Sequence, residues 1–193
     1  MIQLCITGGI GSGKTTLCRI LEQFDIPVFY ADDVAKNLLQ TPKIQTLVQQ
    51  TFGDAVCSNG SVDKQKLATI VFGNEKKLNQ LNSMIHPAVA ENYAMWLRQH
   101  QSKKIVAKEA AILFESGSYK QCDKIICVYA PAKVRIQRVM LRSQLSKEEV
   151  KARMKKQLPE SEKIKRSDFV IYNDDKRLVI PQVTKVLDKL DQH

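Results

Sequence analysis

The chain has 193 residues, of which 44% are hydrophobic and 26% charged, the balance of a globular protein with one sizeable core and room for a small inserted subdomain. No apolar run approaches the length that spans a bilayer, and the opening residues carry no signal-peptide pattern, so a cytoplasmic location without a membrane partner is expected. Lys and Arg number 30 against 20 Asp and Glu, a net charge of +10, which fits either a nucleic-acid surface or small polyanionic substrates. Cys5, Cys18, Cys57, Cys122 and Cys127 show neither a CxxC pair nor metal-ligand spacing. Cys5 and Cys127 sit in apolar strand-like runs, where cysteine behaves as a small hydrophobe. An odd number of cysteines excludes a complete intrachain disulfide framework. None of the five is assigned a catalytic role.

Ile2–Thr7 reads as a short buried strand. It runs into Gly8-Gly9-Ile10-Gly11-Ser12-Gly13-Lys14-Thr15, which fits G-x-x-x-x-G-K-[ST] without mismatch. Thr16–Phe24 reads as a helix with Leu17, Ile20, Leu21 and Phe24 on one face. Strand, glycine loop and helix in this order let a backbone wrap a polyphosphate. Successive N–H groups and the helix N-terminus then point at the anion. Lys14 is expected to reach the β- and γ-phosphates, and the Thr15 hydroxyl to hold Mg²⁺. Gly11, Ser12, Gly13 and Thr16 complete the expected cradle for a nucleoside triphosphate, which favours small polyanionic substrates as the reason for the basic charge.

Val28–Tyr30 reads as the second strand, and Asp32 and Asp33 follow it at once. A carboxylate there could orient and deprotonate an alcohol. One of the pair could equally cap the helix read at Val34–Gln40. Further helices are read at Pro42–Phe52, Lys64–Phe72, Glu75–Met84 and Pro87–Gln101. That is too much helix for one crossover, and it predicts a helical subdomain over the strand ends, where α/β proteins bind ligands. Strands at Ile105–Ala107, Lys124–Tyr129 and Phe169–Tyr172 complete a parallel sheet with helices on both faces. Ala132–Arg142 is a basic helix, and Ser146 and Glu149 form a capping box that opens another, running to about Gln157. Together these read as a lid. A last helix, roughly Lys176–Leu190, is expected to pack through Leu178, Ile180, Val183, Val186, Leu187 and Leu190. The predicted architecture is an α/β P-loop fold with a three-layer parallel sheet. Its core takes 1–33, 102–131 and 167–193, its helical substrate subdomain about 34–101, and its lid about 132–166.

An Asn-Lys-x-Asp guanine motif is absent, and no apolar strand ends in the Asp-Glu pair of motor ATPases. Two helical regions beside a short core suit phosphoryl transfer, which needs positioning, charge neutralisation and water exclusion.

Further segments carry a resemblance. Leu4 to Thr16 is similar to the opening of the dephospho-CoA kinase family, including the Thr-Gly-Gly before the loop. Val28-Phe29-Tyr30-Ala31-Asp32-Asp33-Val34-Ala35-Lys36 resembles its Asp-Ala-Asp segment, and Leu81 to Pro87 its His-Pro element. Glu109-Ala110-Ala111-Ile112-Leu113-Phe114-Glu115 resembles its Asp-Val-Pro-Leu-Leu-Phe-Glu. Arg138, Arg142 and Arg153 to Gln157 resemble its lid, and Ser167 to Asn173 its closing strand. The likeness covers nearly the whole chain in order and spacing.

The resemblance implies transfer of the ATP γ-phosphate to the ribose 3′-hydroxyl of dephospho-CoA, a small-molecule substrate, with no nucleic-acid partner. It implies that Lys14, Asp32 and Arg142 are catalytic, Asp32 as proton acceptor. It implies that Arg138 joins Arg142 on the nucleotide phosphates and that Thr15 and Glu109 serve Mg²⁺. Asp32, His86 and Glu115 are then the acceptor-side residues, although His86 before Pro87 also reads as a packed neighbour of a helix start. Phe114 and Tyr119 are candidates to pack on adenine or the pantetheine arm. Tyr30 departs from the family's first Asp, Glu109 from an Asp, Ala111 from a Pro, and Ser143 from the acid after the lid arginine. Two rivals stay open. One is another small P-loop kinase, for a nucleoside monophosphate or another small alcohol; a nucleoside monophosphate acceptor would want more acceptor-side arginines than Arg98, the single one between Ala31 and Gln101. The other is an ATPase stimulated by nucleic acid, whose binding would weaken steeply with salt.

Overall fold

A computed structural model describes residues 1–58, 60–71 and 73–192. The chain divides into two compact units, 1–30 with 100–193, and 31–99.

The first unit is built on five parallel strands, β1 (Ile2–Thr7), β2 (Val28–Tyr30), β5 (Ile105–Glu109), β6 (Lys124–Tyr129) and β7 (Phe169–Tyr172), in the spatial order β2-β5-β1-β6-β7. The glycine loop leaves β1, the central strand. Alternation along the strands sends Leu4, Ile6, Ile105, Ala107, Ile126, Val128 and Ile171 into one core. Leu17, Cys18 and Leu21 of α1 (Lys14–Gln23) and Val183, Val186 and Leu190 of α9 (Val179–Asp191) fill the same core. Alternate residues, among them Cys5, Val106, Lys108 and Cys127, are also buried, so the strands read as near-continuous apolar runs. The remaining helices of this unit are α6 (Ala132–Ser143), α7 (Lys147–Lys155) and α8 (Glu160–Lys165). The capping box of α7 is formed as expected, with Ser146 Oγ accepting from Glu149 N and Glu149 accepting from Ser146 N.

The second unit holds α2 (Ala31–Leu38), α3 (Pro42–Phe52), a small hairpin of β3 (Cys57–Ser58) and β4 (Ser61–Val62), α4 (Lys64–Val71) and α5 (Glu75–Gln99). It has its own core of Ile44, Val48, Val56, Val62, Leu67, Val71, Leu81 and Ile85.

Several expectations need correction. The two helices read at 75–84 and 87–101 are one helix, α5, with Pro87 inside it. Proline removes one N–H and disfavours the helical conformation of the residue before it, yet tertiary packing on both sides carries the helix through. The hairpin was not foreseen because two-residue strands leave no periodicity. Phe72, read as the end of a helix, lies outside the described residues. In the last helix, Leu178 is 77% exposed and Ile180 57% exposed. The helix starts only at Val179, with Leu178 as its N-cap, and in the first turn it is Val179, not Ile180, that packs against the core. Phe24, placed on the buried face of α1, lies past the helix end and is 44% exposed. Cys5 is not a free small hydrophobe: it is disulfide-bonded to Cys122, with Cα atoms 5.7 Å apart. Cys18, Cys57 and Cys127 are free, and burial pushes the Cys127 thiol up to about 12.

Candidate active site

The glycine loop is shaped by what crowds it. Gly11 and Gly13 have φ of +78° and +97°, the left-handed region that glycine adopts without penalty. A side chain on Gly11 would meet Arg135 O at 2.6 Å, and one on Gly13 would meet Asn173 Nδ2 at 1.9 Å. Gly13 is the N-cap of α1 and supplies no side-chain cap, and the first turn carries no acidic residue. The first N–H groups of a ten-residue helix are therefore left for an anion at its positive end. Ser12 Oγ and Thr7 Oγ1 are buried without a hydrogen-bond partner among the described residues.

Lys14 lies in this first turn. Its Nζ donates to Gly8 O at 3.1 Å and stands 3.7 Å from Glu109 Oε1. Glu109 ends β5, paired in register with Ile6 of the central strand, so the sheet itself delivers a carboxylate to the loop lysine. Glu109 and Thr15 offer hard oxygen donors. Mg²⁺ in phosphoryl-transfer sites takes one or two protein oxygens and otherwise water and phosphate, and this donor set fits it.

Helix α6 presents arginines at 135, 138 and 142, a spacing that puts them on one face. Arg138 donates to Asn173 Oδ1 and Ser12 O and pairs with Asp175 at 2.5 Å, while Asn173 Nδ2 donates to Ser12 O at 2.9 Å. Arg138 thus braces the loop from outside. Arg142 is exposed at the end of the helix. Arg135 is buried, 3.6 Å from Glu160 Oε1. Both lie against Gly9, where an added Cβ would meet Arg135 Nη1 at 2.1 Å and Glu160 Oε1 at 2.4 Å. Sequence reasoning missed Arg135, Glu160 and Asn173 as loop supports. The α6 arginine spacing was the available signal for Arg135, but neither partner could be paired to the loop without the fold.

The segment after α7 reaches the same loop. Gln157 Oε1 accepts from Ile10 N at 2.9 Å. Leu158 N donates to Glu115 Oε1 at 2.8 Å. Lys163, fully buried, donates to Ala111 O at 2.9 Å and stands 3.2 Å from Glu115 Oε1. Phe114 and Tyr119 lie 5.6 Å apart with the Arg166 guanidinium over both rings.

Within the second unit, Asp32 and Asp33 occupy the first turn of α2, which begins at Ala31, so neither is the cap of a later helix. Asp33 is exposed and pairs with Lys36 at 2.6 Å, whereas Asp32 is half-buried. His86 is half-buried in α5, next to Pro87, and burial lowers its pKa. Tyr30, at the end of β2 in the first unit, donates to Glu22 Oε1 at 3.0 Å, and burial with that hydrogen bond raises its pKa. The structure therefore gathers Gly11 to Thr16, Glu109, Arg138, Arg142 and Glu115 in the first unit, and Asp32 and His86 in the second.

A parallel sheet whose central strand feeds a Gly-rich loop with Lys14 at a helix N-terminus, flanked by an arginine-bearing helix, defines a P-loop small-molecule kinase. A sequence model of dephospho-CoA kinase matches residues 2–178, and the chain belongs to that family. A dephospho-CoA kinase of Bacteroides fragilis (strain YCH46) is 36% identical over 96% of this chain and 91% of its own. A crystal structure from Thermus thermophilus superposes with a TM-score of 0.88 at 33% identity, covering 97% of this chain and 96% of that one. The dephospho-CoA kinase of Campylobacter jejuni gives a TM-score of 0.71 at 26% identity, over 98% and 97% of the two chains.

Proposed function

We propose that this protein transfers the γ-phosphate of ATP to the ribose 3′-hydroxyl of dephospho-CoA, giving CoA and ADP, the last step of coenzyme A synthesis. The observation that carries the reading is the uncapped N-terminus of α1 behind the glycine loop, with Lys14 held between Gly8 O and Glu109. Amides of Gly11 to Thr16 bind the polyphosphate, and Lys14 neutralises its β- and γ-oxygens. Thr15 and Glu109 would hold Mg²⁺, whose chemistry is to offset phosphate charge. Arg138 supports the nucleotide from beside the loop. Arg142 closes on the phosphates and offsets charge in the transition state. Asp32 takes the proton of the attacking hydroxyl, the role of a positioned carboxylate in alcohol phosphorylation. The role goes to Asp32 because it stands at the second carboxylate of the Asp-Ala-Asp segment that the chain resembles. His86 and Glu115 contact the acceptor.

We place the reaction in the cytoplasm without membrane or nucleic-acid partners; among the described residues no helix is long and apolar enough to cross a membrane. The test is ADP release from Mg·ATP with and without dephospho-CoA. Turnover is expected to depend on the acceptor and to fall about 10²–10⁴-fold in Asp32→Asn. Turnover unaffected by dephospho-CoA refutes the substrate, and full activity of Asp32→Asn refutes the proton acceptor.

A further inference from the structure

Lys163 is a lysine with no exposed surface, which occurs almost only when the charge is paired. Its ammonium is bound to the turn that follows β5. Its ammonium donates to Ala111 O at 2.9 Å and stands 3.2 Å from Glu115 Oε1. Leu158 N donates to that same oxygen at 2.8 Å. Both groups come from one stretch of chain, 158–163, and both converge on Oε1, Leu158 N by a hydrogen bond and the Lys163 ammonium as an ion pair. Glu115 Oε2 accepts from no described residue, and the Glu115 side chain keeps 24% of its surface exposed.

A buried ion pair is a poor device for stability alone, because apolar residues of the same volume do as well or better. What it does supply here is orientation. Glutamate in a surface turn would otherwise sample several rotamers, and a hydrogen bond and an ion pair fixed on one oxygen select one. The other oxygen is left as an acceptor-only group, matched to a hydroxyl or N–H of a ligand.

We propose that Lys163 is a positioning residue for the acceptor substrate: with Leu158 N it fixes Glu115 so that Oε2 accepts a hydrogen bond from a sugar hydroxyl of the acceptor. The proposal rests on the dephospho-CoA reading. Preorganising the carboxylate lowers the ordering cost of binding, so its loss raises KM for the acceptor and spares KM for ATP.

The test is steady-state kinetics of the full chain, varying Mg·ATP and dephospho-CoA separately, with melting temperatures alongside. Glu115→Gln is the decisive variant. Its amide oxygen can still accept from Leu158 N, an NH₂ replaces Oε2, and the charge paired with Lys163 is lost as well, a structural cost that the melting temperature reads separately. It is expected to raise KM for dephospho-CoA about tenfold while KM for ATP stays within about twofold. Lys163→Met should do the same. Lys163→Arg should recover most of the loss, and Lys163→Met/Glu115→Gln should be no worse than Glu115→Gln, because coupled residues are not additive. An unchanged acceptor KM in Glu115→Gln overturns the proposal, whether or not Lys163→Met folds. So does a melting-point drop in Lys163→Met without any split between the two KM values. A wild-type protein without dephospho-CoA turnover overturns the underlying reading, and this is seen before any variant is made.

Discussion

Gly9→Ala isolates one job of the loop. Gly9 does not have a left-handed φ, so alanine suffers no backbone penalty and only space is tested. The new methyl would lie 2.1 Å from Arg135 Nη1 and 2.4 Å from Glu160 Oε1. The guanidinium must retreat by about 1.3 Å to reach ordinary van der Waals contact. It has little freedom, since the Arg135 and Glu160 side chains are only 7% and 15% exposed. Overpacking of this kind costs about 1–3 kcal/mol, or about 2–12 °C of melting temperature for a chain of this size. Differential scanning fluorimetry reads the loss. The control is the same substitution in Arg135→Ala/Glu160→Ala, which empties the space and orphans neither charge. There Gly9→Ala should cost less than about 0.5 kcal/mol. A Gly9→Ala protein as stable as wild type, or a cost unchanged in the emptied background, would refute the claim that this glycine exists to seat the Arg135–Glu160 pair.

Arg142 is exposed, so Arg142→Ala should lower kcat about 10²–10³-fold while stability moves by less than about 0.5 kcal/mol; matched losses in both would make Arg142 structural. Burial lowers the pKa of His86 from 6.5, so below pH 6.5 the unfolded chain binds the proton more readily than the folded one. Stability should therefore be full above about pH 6.5 and fall as pH drops, and melting curves at pH 7.5 and 5.5 should show a smaller loss for His86→Gln than for wild type. Equal losses would remove His86 as the cause. Thiol titration of the unfolded chain should count three cysteines without reductant, Cys18, Cys57 and Cys127, and all five after reduction; five in both would mean that Cys5 and Cys122 are not bonded.

The sheet was legible because buried parallel strands write themselves as apolar runs: Ile2–Thr7, Val28–Tyr30, Lys124–Tyr129 and Phe169–Tyr172 stand at the read boundaries. The loop was legible because its chemistry is local, needing only glycines, Lys14 and a following helix. What stayed hidden is long-range pairing. Lys163 looks like any surface lysine of a basic helix until Ala111 and Glu115 are brought to it across 52 and 48 positions. Cys5 has the surroundings of a core residue, and only the pairing of β1 with β6, with Cys122 just before β6, brings the two cysteines together. Helix ends were misjudged where packing overrides local preference. Pro87 signals a break that α5 does not make. Leu178 continues an apolar stripe that the fold does not use. One of Asp32 and Asp33 could be read as a cap only because Ala31 was not expected to begin the helix.

The bond between Cys5 and Cys122, 117 positions apart, turns most of the chain into a closed covalent ring. The glycine loop, α1 and the entire 31–99 unit lie inside it; α6, α7, α8 and β7 form a tail outside it. A protease that cuts once anywhere within the ring opens it but releases nothing, and the nicked protein keeps its mass until a reductant is added. A single cut in the tail before α9 leaves that helix with no covalent link to the rest, held only by its packing in the core. While oxidised, the chain is thus topologically insured over its inserted helical unit and left uninsured over α6, α7 and α8.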